Sequence, residues 1–202
     1  HIDQNEILGL IGPNGAGKTT VFNLITGIYP PDIGRIELNG YSLLGLRPHT
    51  IVEQGIGRTF QTIRLFPNLT AMENIMAGQY CRTRAGLLAA IFRPRSQQEE
   101  EEHIRQEAEQ CLRFMGLDGL GGELAKNLPY GLQRRLEIAR ALATKPQLLI
   151  LDEPAAGLNE QETSELMGLI GQIRESRITI FVIEHDMRVV MGISDRIVVL
   201  DN

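Results

Sequence analysis

A glycine-rich segment near the start of the chain constrains the fold more than any other feature of the sequence. The segment Gly12–Thr19 directly follows the apolar run Ile7–Ile11, and apolar residues with helical spacing continue from Lys18 to Ile28. This succession predicts a strand, a tight loop and a helix. The chain is therefore expected to contain an α/β unit in which the loop joins a buried strand to a helix.

The same segment fits the pattern G-x-x-x-x-G-K-[ST], which binds phosphates when it lies between a strand and a helix. Glycines let backbone N–H groups turn toward the phosphates, and the helix N-terminus adds its dipole. Lys18 is expected to reach the β- and γ-phosphates, and Thr19 to bind Mg²⁺. The alternative is a glycine-rich turn without a ligand. The candidate nucleotide-binding residues here are Gly12, Pro13, Asn14, Gly15, Ala16, Gly17, Lys18, Thr19 and Thr20.

An acidic pair later in the chain supplies candidate metal-binding and base groups. The apolar run Leu148–Leu151 ends in Asp152 and Glu153. A phosphate-binding loop of this kind needs a carboxylate at the end of a neighbouring strand to hold Mg²⁺, and Asp152 is the candidate. Glu153 is the candidate general base that polarises the attacking water. Alone, the pair would be an ordinary strand end, but with Lys18 it indicates hydrolysis of a nucleoside triphosphate.

The carboxyl-terminal half alternates strand and helix patterns. Two further continuous apolar runs of strand length occur at Ile178–Ile183 and Ile197–Leu200. Continuous apolarity is typical of strands buried on both faces of a parallel sheet. Helical spacing lies between these runs, at about 160–176 and 186–193. The pattern predicts a largely parallel sheet covered by helices.

The middle of the chain, from about 65 to 125, has no convincing strand pattern. Helical spacing is present instead, and its apolar positions are Ile104, Ala108, Leu112 and Met115. The short apolar run Leu87–Phe92 is flanked by arginines, so it either touches a membrane surface or packs as an amphipathic turn. This region is predicted to be helical.

Composition excludes several classes of protein. The 202 residues include 20 Lys and Arg against 25 Asp and Glu, a net charge of −5. This balance argues against a general nucleic-acid binder, which needs a basic surface. The two cysteines have no metal-ligand spacing and predict reduced thiols. No apolar run approaches the ~18 residues needed to cross a bilayer.

Residues 127–142 distinguish one family among the proteins with such a phosphate loop. They read Asn-Leu-Pro-Tyr-Gly-Leu-Gln-Arg-Arg-Leu-Glu-Ile-Ala-Arg-Ala-Leu, which resembles the signature motif and following helix of ATP-binding cassette (ABC) ATPases. Gln61 matches the Q-loop of that family, residues 154–159 match its D-loop, and His185 matches its switch histidine. All of these motifs occur in the order that the family has.

The resemblance implies an α/β fold of the P-loop NTPase class. It is that of an ABC-type ATPase, with a mostly parallel core sheet and an inserted helical subdomain. Residues 1–202 would form one nucleotide-binding domain, with 1–61 and 136–202 as the ATP-binding core and 62–135 as the helical subdomain that ends with the signature motif. ABC cassettes usually begin with strands carrying an adenine-stacking aromatic residue and continue past the last strand seen here. By this comparison, the N-terminal strands and the C-terminal end are expected to be missing.

The resemblance also implies the cofactors ATP and Mg²⁺ and a role for each site residue. The counterpart of Gln61 binds Mg²⁺ and water and senses the membrane partner, and that of His185 contacts the γ-phosphate. The candidate catalytic residues are Glu153, His185 and Gln61. The candidate metal ligands are Thr19, Gln61 and Asp152.

In this family the signature motif of one cassette covers ATP held by the P-loop of a second cassette, which implies a homodimer or heterodimer. Pro129 replaces the usual serine of the motif, and Leu132 replaces the usual glutamine. Contact with ATP is therefore expected from the backbone around Tyr130 and Gly131, and Gln133 is a further candidate.

The finer resemblance is to the ATP-binding subunit of branched-chain amino-acid importers. It is carried by residues 58–66, the Tyr-Gly form of the signature, 152–159, 183–187 and 194–197. It implies an ATPase that powers the uptake of branched-chain amino acids through separate transmembrane permease subunits, with a periplasmic solute-binding protein as an indirect partner. The protein would lie peripherally on the cytoplasmic face of the bacterial inner membrane, and nucleic acid is not an expected partner.

Three alternatives remain open. The first is an importer of related amino acids or urea. The second is an ABC ATPase without a transport role, although the chain has neither the long heptad coiled coils of repair ATPases nor a second cassette. The third is a regulatory nucleotide-binding module that hydrolyses little, which the presence of Glu153 and His185 disfavours.

Overall fold

Two contact units make up the chain, and one of them is inserted in the sequence of the other. The computed structural model describes residues 1–79 and 95–201. The first unit comprises His1–Thr62 with Lys145–Asn202, and the second comprises Ile63–Thr144. The apolar run Leu87–Phe92, with its two interpretations, lies outside the described residues.

Strands and helices alternate in the first unit, whereas helices predominate in the second. In chain order the described elements are β1 (Ile7–Ile11), α1 (Lys18–Ile25), β2 (Glu37–Leu38), β3 (Tyr41–Ser42), α2 (Pro48–Glu53), β4 (Ile56–Arg58), α3 (Ala71–Gln79), α4 (Arg95–Phe114), a 3₁₀ turn (Ala125–Asn127), α5 (Tyr130–Leu142), β5 (Leu148–Asp152), α6 (Glu160–Glu175), β6 (Thr179–Ile183), α7 (Met187–Ile193) and β7 (Arg196–Val199).

The main sheet of the first unit has, within the described residues, five strands in the order β4-β5-β6-β1-β7. Every neighbouring pair is parallel, which confirms the predicted parallel sheet. The short β2 and β3 form a separate antiparallel pair that the sequence pattern did not predict. Because parallel strands point the same way, the segments that follow β1, β4, β5 and β6 meet at one edge of the sheet, where α/β proteins bind their ligands.

Burial on both faces explains the continuous apolarity of the strands. All five residues of β5 are buried, as are four of the five in β6. Phe22 of α1 is fully buried, and its ring centroid lies 4.9 Å from that of Phe181 at an interplanar angle of 65°. This edge-to-face contact joins α1 to the sheet.

The predicted helices at about 160–176 and 186–193 are confirmed as α6 and α7. Asn159 caps α6 by a reciprocal arrangement with Glu162. The Asn159 side chain accepts from the Glu162 N–H at 2.9 Å, and the Glu162 carboxylate accepts from the Asn159 N–H at 3.0 Å. Such a capping box satisfies two backbone donors and fixes where the helix begins.

The second unit is helical, as predicted. Helix α4 contributes the expected apolar face, and Ile104, Ala108, Leu112 and the following Met115 are all buried. Within the described part of this unit, the only β pairing is an isolated antiparallel bridge between Thr70 and Leu124. In the described ranges, no helix is long and apolar enough to span a bilayer.

The contact division differs from the expected subdomain boundary at 135/136. All of α5 belongs to the second unit, which extends to Thr144. A boundary at 136 would cut α5 near its middle, although the helix packs on α3 as one body. The signature motif and the helix that follows it therefore belong together.

Candidate active site

The predicted phosphate-binding loop connects β1 to α1 as the sequence indicated. Gly15 and Gly17 have φ values of 90° and 91°, in the left-handed region that favours glycine. A Cβ at Gly12 would collide with the carbonyl oxygen of Leu200. The loop therefore requires glycine at these three positions, two for conformation and one for space.

Lys18 lies folded over this loop. The residue is only 9% exposed, and its Nζ donates to the carbonyl oxygens of Gly12 at 2.7 Å and Pro13 at 2.9 Å. An ammonium has three donors, so two of them are used by the loop. The arrangement holds a positive charge beside the loop, where it can serve phosphate oxygens.

The N-terminus of α1 suits an anion. Gly17 is the N-cap and makes no side-chain capping bond, and the first turn holds no acidic residue. The positive end of the helix dipole is thus not offset by a carboxylate of the helix itself. Thr19 and Thr20 lie exposed in this first turn, so their hydroxyl groups can meet a ligand.

Asp152 ends β5 at the same edge of the sheet. It is 3% exposed, and its Oδ2 lies 3.3 Å from Nη2 of Arg58. No three His, Cys, Asp or Glu side chains of the described residues cluster as a metal site. Mg²⁺ is usually held by one or two carboxylates together with waters and substrate phosphates. Asp152 and the Thr19 hydroxyl therefore fit a Mg²⁺ ion that binds with a nucleotide rather than alone.

The structure brings the three candidate catalytic residues together. Gln61, after β4, donates from Nε2 to Oε2 of Glu153 at 2.9 Å. Nδ1 of His185, after β6, lies 3.8 Å from the same oxygen. Three segments that are distant in sequence thus converge on one carboxylate at the carboxyl edge of the sheet.

Glu153 has an unusual backbone conformation. Its φ of 46° lies in the left-handed region, and its N–H donates to the carbonyl of Ile183 at 2.9 Å. A residue other than glycine in this region costs of the order of 1–3 kcal/mol, and such strain is concentrated at functional sites. The chain thus leaves the regular strand conformation directly after Asp152.

Glu184 is a residue of this site that the sequence interpretation missed. It is 1% exposed, and its two carboxylate oxygens accept from the N–H groups of Ala155 at 2.8 Å and His185 at 3.2 Å. Burial raises the pKa of Glu184, and the neighbouring Glu153 carboxylate adds to the rise. A charged residue directly after a buried apolar strand was the available signal.

Arg58 is the second missed residue. It ends β4, where its guanidinium contacts Asp152 and side chains of α1. A buried arginine between two apolar elements is rare without a charged partner. The sequence showed Arg58 only as part of the segment that leads to Gln61.

The signature residues lie in the second unit, at the start of α5. Pro129 is the N-cap of this helix, Tyr130 is exposed and Gly131 is buried. The Gln133 side chain donates to the carbonyl of Leu128 at 2.8 Å, so it stabilises the turn that carries the motif. Of the candidate signature residues, Tyr130 thus presents the most exposed surface, while Gln133 bonds within its own turn.

A buried ion pair lies in the helix that carries the signature motif. Nη1 of Arg134 lies 2.9 Å from Oε2 of Glu137, and the two side chains are 0% and 1% exposed. The other carboxylate oxygen accepts from the Arg64 N–H at 3.0 Å. Glu137 therefore links α5 to the backbone that follows the Q-loop.

Glu137 is expected to make stability depend on pH. Burial, the largest effect, raises the pKa of its carboxyl from 4.5, although Arg64 N–H and Arg134 act the other way. The folded protein then binds more protons than the unfolded chain, so the free energy of unfolding falls as pH rises from 4.5 through the raised pKa. Glu137→Gln should flatten this dependence in urea unfolding, because the amide that replaces the carboxyl does not titrate.

Glu73→Gln provides a control of opposite sign. The Thr70 N–H lowers the pKa of Glu73 below 4.5. The Glu73 carboxylate therefore contributes to folding stability above pH 4.5, and this stability is lost as pH falls through the lowered pKa. This variant should lose less stability in acid and keep the wild-type slope above pH 4.5. An unchanged slope in Glu137→Gln would contradict the expectation for Glu137.

Known proteins are similar to this chain in sequence and in fold. The sequence profile of the ABC transporter family matches residues 1–156. The high-affinity branched-chain amino acid transport ATP-binding protein BraF of Pseudomonas aeruginosa is 45% identical over 201 residues, which cover 99% of this chain and 79% of BraF. The corresponding protein LivG of Escherichia coli K12 is 48% identical over 197 residues, 97% of this chain and 77% of LivG.

Solved structures agree with the family match. The ADP conformation of MJ1267, an ATP-binding cassette of an ABC transporter, is 31% identical with a TM-score of 0.83, covering 98% of this chain and 78% of that one. A dimeric post-hydrolysis state of the cassette MJ0796, bound to ADP and Pi, is 27% identical with a TM-score of 0.82, covering 99% and 83%. On sequence and fold together, the chain belongs to the ABC transporter family and has the fold of its ATP-binding cassettes.

Proposed function

We propose that this chain binds ATP with Mg²⁺ and hydrolyses it to power the import of branched-chain amino acids. The observation that carries the proposal is the convergence of Gln61 and His185 on Glu153, at the sheet edge where the Lys18 loop also lies. Membership of the ABC transporter family and the names of the relatives BraF and LivG support the same conclusion.

The proposed reaction requires the residues to bind phosphates, hold Mg²⁺ and activate water. The loop N–H groups, Lys18 and the N-terminus of α1 bind the phosphates of ATP. Thr19, Gln61 and Asp152 would hold the Mg²⁺, which would supply positive charge to stabilise the phosphates of ATP. These groups fix the γ-phosphate before the residues around Glu153 act on it.

Glu153 accepts a proton from the attacking water as general base. Gln61 holds the carboxylate at 2.9 Å, which limits the orientations in which it meets that water. His185 is 64% exposed at its side chain, so it can reach the γ-phosphate. Proton transfer and phosphate contact are thereby assigned to two neighbouring side chains.

The proposed functional unit is a dimer of two cassettes, with this chain paired to a copy of itself or to a related subunit. Two of the similar solved structures are dimeric cassettes. Exposed Tyr130 and the N-terminus of α5 would contact ATP held by the partner. The two contact units would serve as an ATP-binding core and a helical subdomain with the signature motif.

The proposed partners in transport are transmembrane permease subunits and, through them, a periplasmic solute-binding protein. The chain would lie peripherally on the cytoplasmic face of the inner membrane. Selection of the amino acid would belong to the permease and binding protein, because the site described here offers groups for phosphates only.

Reconstitution tests this proposal. We expect proteoliposomes that contain the chain, its permease subunits and their binding protein to accumulate labelled leucine, isoleucine or valine when MgATP is supplied. Glu153→Gln in the same assembly is the control and should accumulate none. Hydrolysis with uptake of other solutes only would refute the substrate, and absence of ATP hydrolysis would refute the ATPase itself.

A further inference from the structure

The guanidinium of Arg58 bridges three side chains beneath the candidate metal site. Its Nη1 donates to Oδ1 of Asn23 and to Oγ1 of Thr26, both at 2.9 Å. Its Nη2 donates to Oδ2 of Asp152 at 3.3 Å. Asn23 and Thr26 lie at the end of α1, and Asp152 ends β5, so one side chain connects the phosphate-binding helix to the metal carboxylate.

The surroundings hold the guanidinium in place. The Arg58 and Asp152 side chains are 6% and 5% exposed. The Arg58 Cζ lies 4.9 Å from the ring centroid of Phe60 and 5.6 Å from that of Phe22, within the range of a cation–π contact. Water has little access to the pair, so the orientation of the carboxylate depends on protein contacts.

Thr26 is itself oriented by α1. Its hydroxyl donates to the Phe22 carbonyl at 2.7 Å, which leaves the oxygen lone pairs to accept from Arg58. The acceptor therefore points toward the guanidinium for a reason independent of Asp152. The Thr26 hydroxyl thus gives Arg58 an acceptor of fixed position at the end of α1, the helix that also carries Thr19.

Arginine suits this bridge for a geometric reason. Its planar fork presents donors in two directions at once, whereas the ammonium of lysine is a single point charge. A lysine could balance the charge of Asp152, but it could not span the distance to α1 acceptors and Asp152 in the same fixed plane. Substituting Arg58 by lysine therefore separates the effect of its positive charge from the effect of its geometry.

We propose that Arg58 is a positioning residue for Asp152, which it holds in one orientation relative to α1 so that the carboxylate meets the Mg²⁺ of bound MgATP. This inference rests on the proposed function, in which Asp152 and Thr19 share that ion. In this inference Arg58 acts through the Asp152 carboxylate and not on the reacting atoms.

The test compares Arg58→Lys and Arg58→Met with wild-type protein in equilibrium ATP binding at a series of Mg²⁺ concentrations and in EDTA. Loss of a residue that orients a metal ligand costs about 10–100-fold in metal affinity. We expect the Mg²⁺ concentration for half-maximal ATP binding to rise by about that factor in both variants. ATP affinity in EDTA should stay within about twofold of wild type, because the phosphate-binding groups are retained.

Charge alone predicts a different result. Removing a cation beside a metal site would strengthen Mg²⁺ binding by Coulomb attraction. A lower or unchanged Mg²⁺ requirement in Arg58→Met, or a wild-type requirement in Arg58→Lys, would overturn the inference.

Two further variants keep the test decisive if Arg58→Met does not fold. Asn23→Ala removes one anchor on α1 and leaves Arg58 and Asp152 intact, so it should raise the Mg²⁺ requirement in the same direction by a smaller factor. Arg196→Met removes another arginine–carboxylate pair of the same unit, with Glu6 at 2.7 Å, and should leave the requirement unchanged. Equal effects of Arg196→Met and Arg58→Lys would overturn a specific role for Arg58.

Failure of this inference and failure of the proposed function have different signatures. If wild-type protein binds no ATP at any Mg²⁺ concentration, the proposed function fails. If wild-type protein binds MgATP and the Arg58 variants follow the same Mg²⁺ curve, only the positioning role fails.

Discussion

Glu153→Gln is expected to lower ATP turnover by about 10²–10⁴-fold while leaving ATP binding intact, because an amide cannot take a proton from water. The substitution conserves shape, and the carbonyl oxygen of the introduced amide can still accept from Gln61, whose Nε2 lies 2.9 Å from Glu153 Oε2 in the wild-type chain. Phosphate release and ATP affinity, measured on the same preparation, separate the two effects.

The same variant should accumulate an ATP-bound dimer. In a dimer held together by ATP, dissociation follows hydrolysis, so a blocked chemical step traps the associated state. Size-exclusion chromatography in MgATP measures this directly. Glu160→Gln is the matched control, since the Glu160 side chain is 93% exposed at the start of α6 and should behave as wild type. Wild-type turnover, or a persistent monomer of Glu153→Gln in MgATP, would contradict the assignment.

Lys18→Met should weaken ATP binding by about 10- to 150-fold. A hydrogen bond to a charged group contributes about 1.5–3 kcal/mol, and in the proposed function Lys18 donates such a bond to the phosphates. Equilibrium dialysis with ATP measures the loss. Lys18 also donates to the carbonyls of Gly12 and Pro13, so the thermal stability of the variant without ligand should be recorded in parallel.

Lys126→Met is the control for the loss of a positive charge. The chain has only three lysines, and Lys126 lies in the second unit with its Nζ 3.0 Å from Oδ1 of Asn68. ATP affinity should not change in this variant. Equal loss in both lysine variants would mean that net charge, rather than the position of Lys18, determines ATP affinity.

The sequence predicted the convergence of the site because parallel strands impose it. Once β1, β5 and β6 are assigned to one parallel sheet, the residues that follow them must reach the same edge. Strand order thus explains why Glu153 and His185 lie at one edge, whereas the role expected of His185 came from the resemblance to ABC ATPases. Their distances to each other, and the left-handed turn at Glu153, depend on backbone details that motif spacing does not contain.

Other parts of the molecule could not be predicted in this way. Arg58 and Glu184 lie at strand ends, and their contacts with Asp152 and Ala155 join segments that are distant in the sequence. The strands β2 and β3 have two residues each, too few to show a period. The boundary predicted at 135/136 lies within the signature region, whereas the second unit includes the whole of α5.

The carboxylate of Glu184 has a mechanical consequence. One oxygen holds the N–H of Ala155 and the other holds that of His185, so the loops after β5 and β6 are cross-linked by a single rigid group. Displacement of either loop would therefore strain the hydrogen bond that Glu184 makes with the other loop.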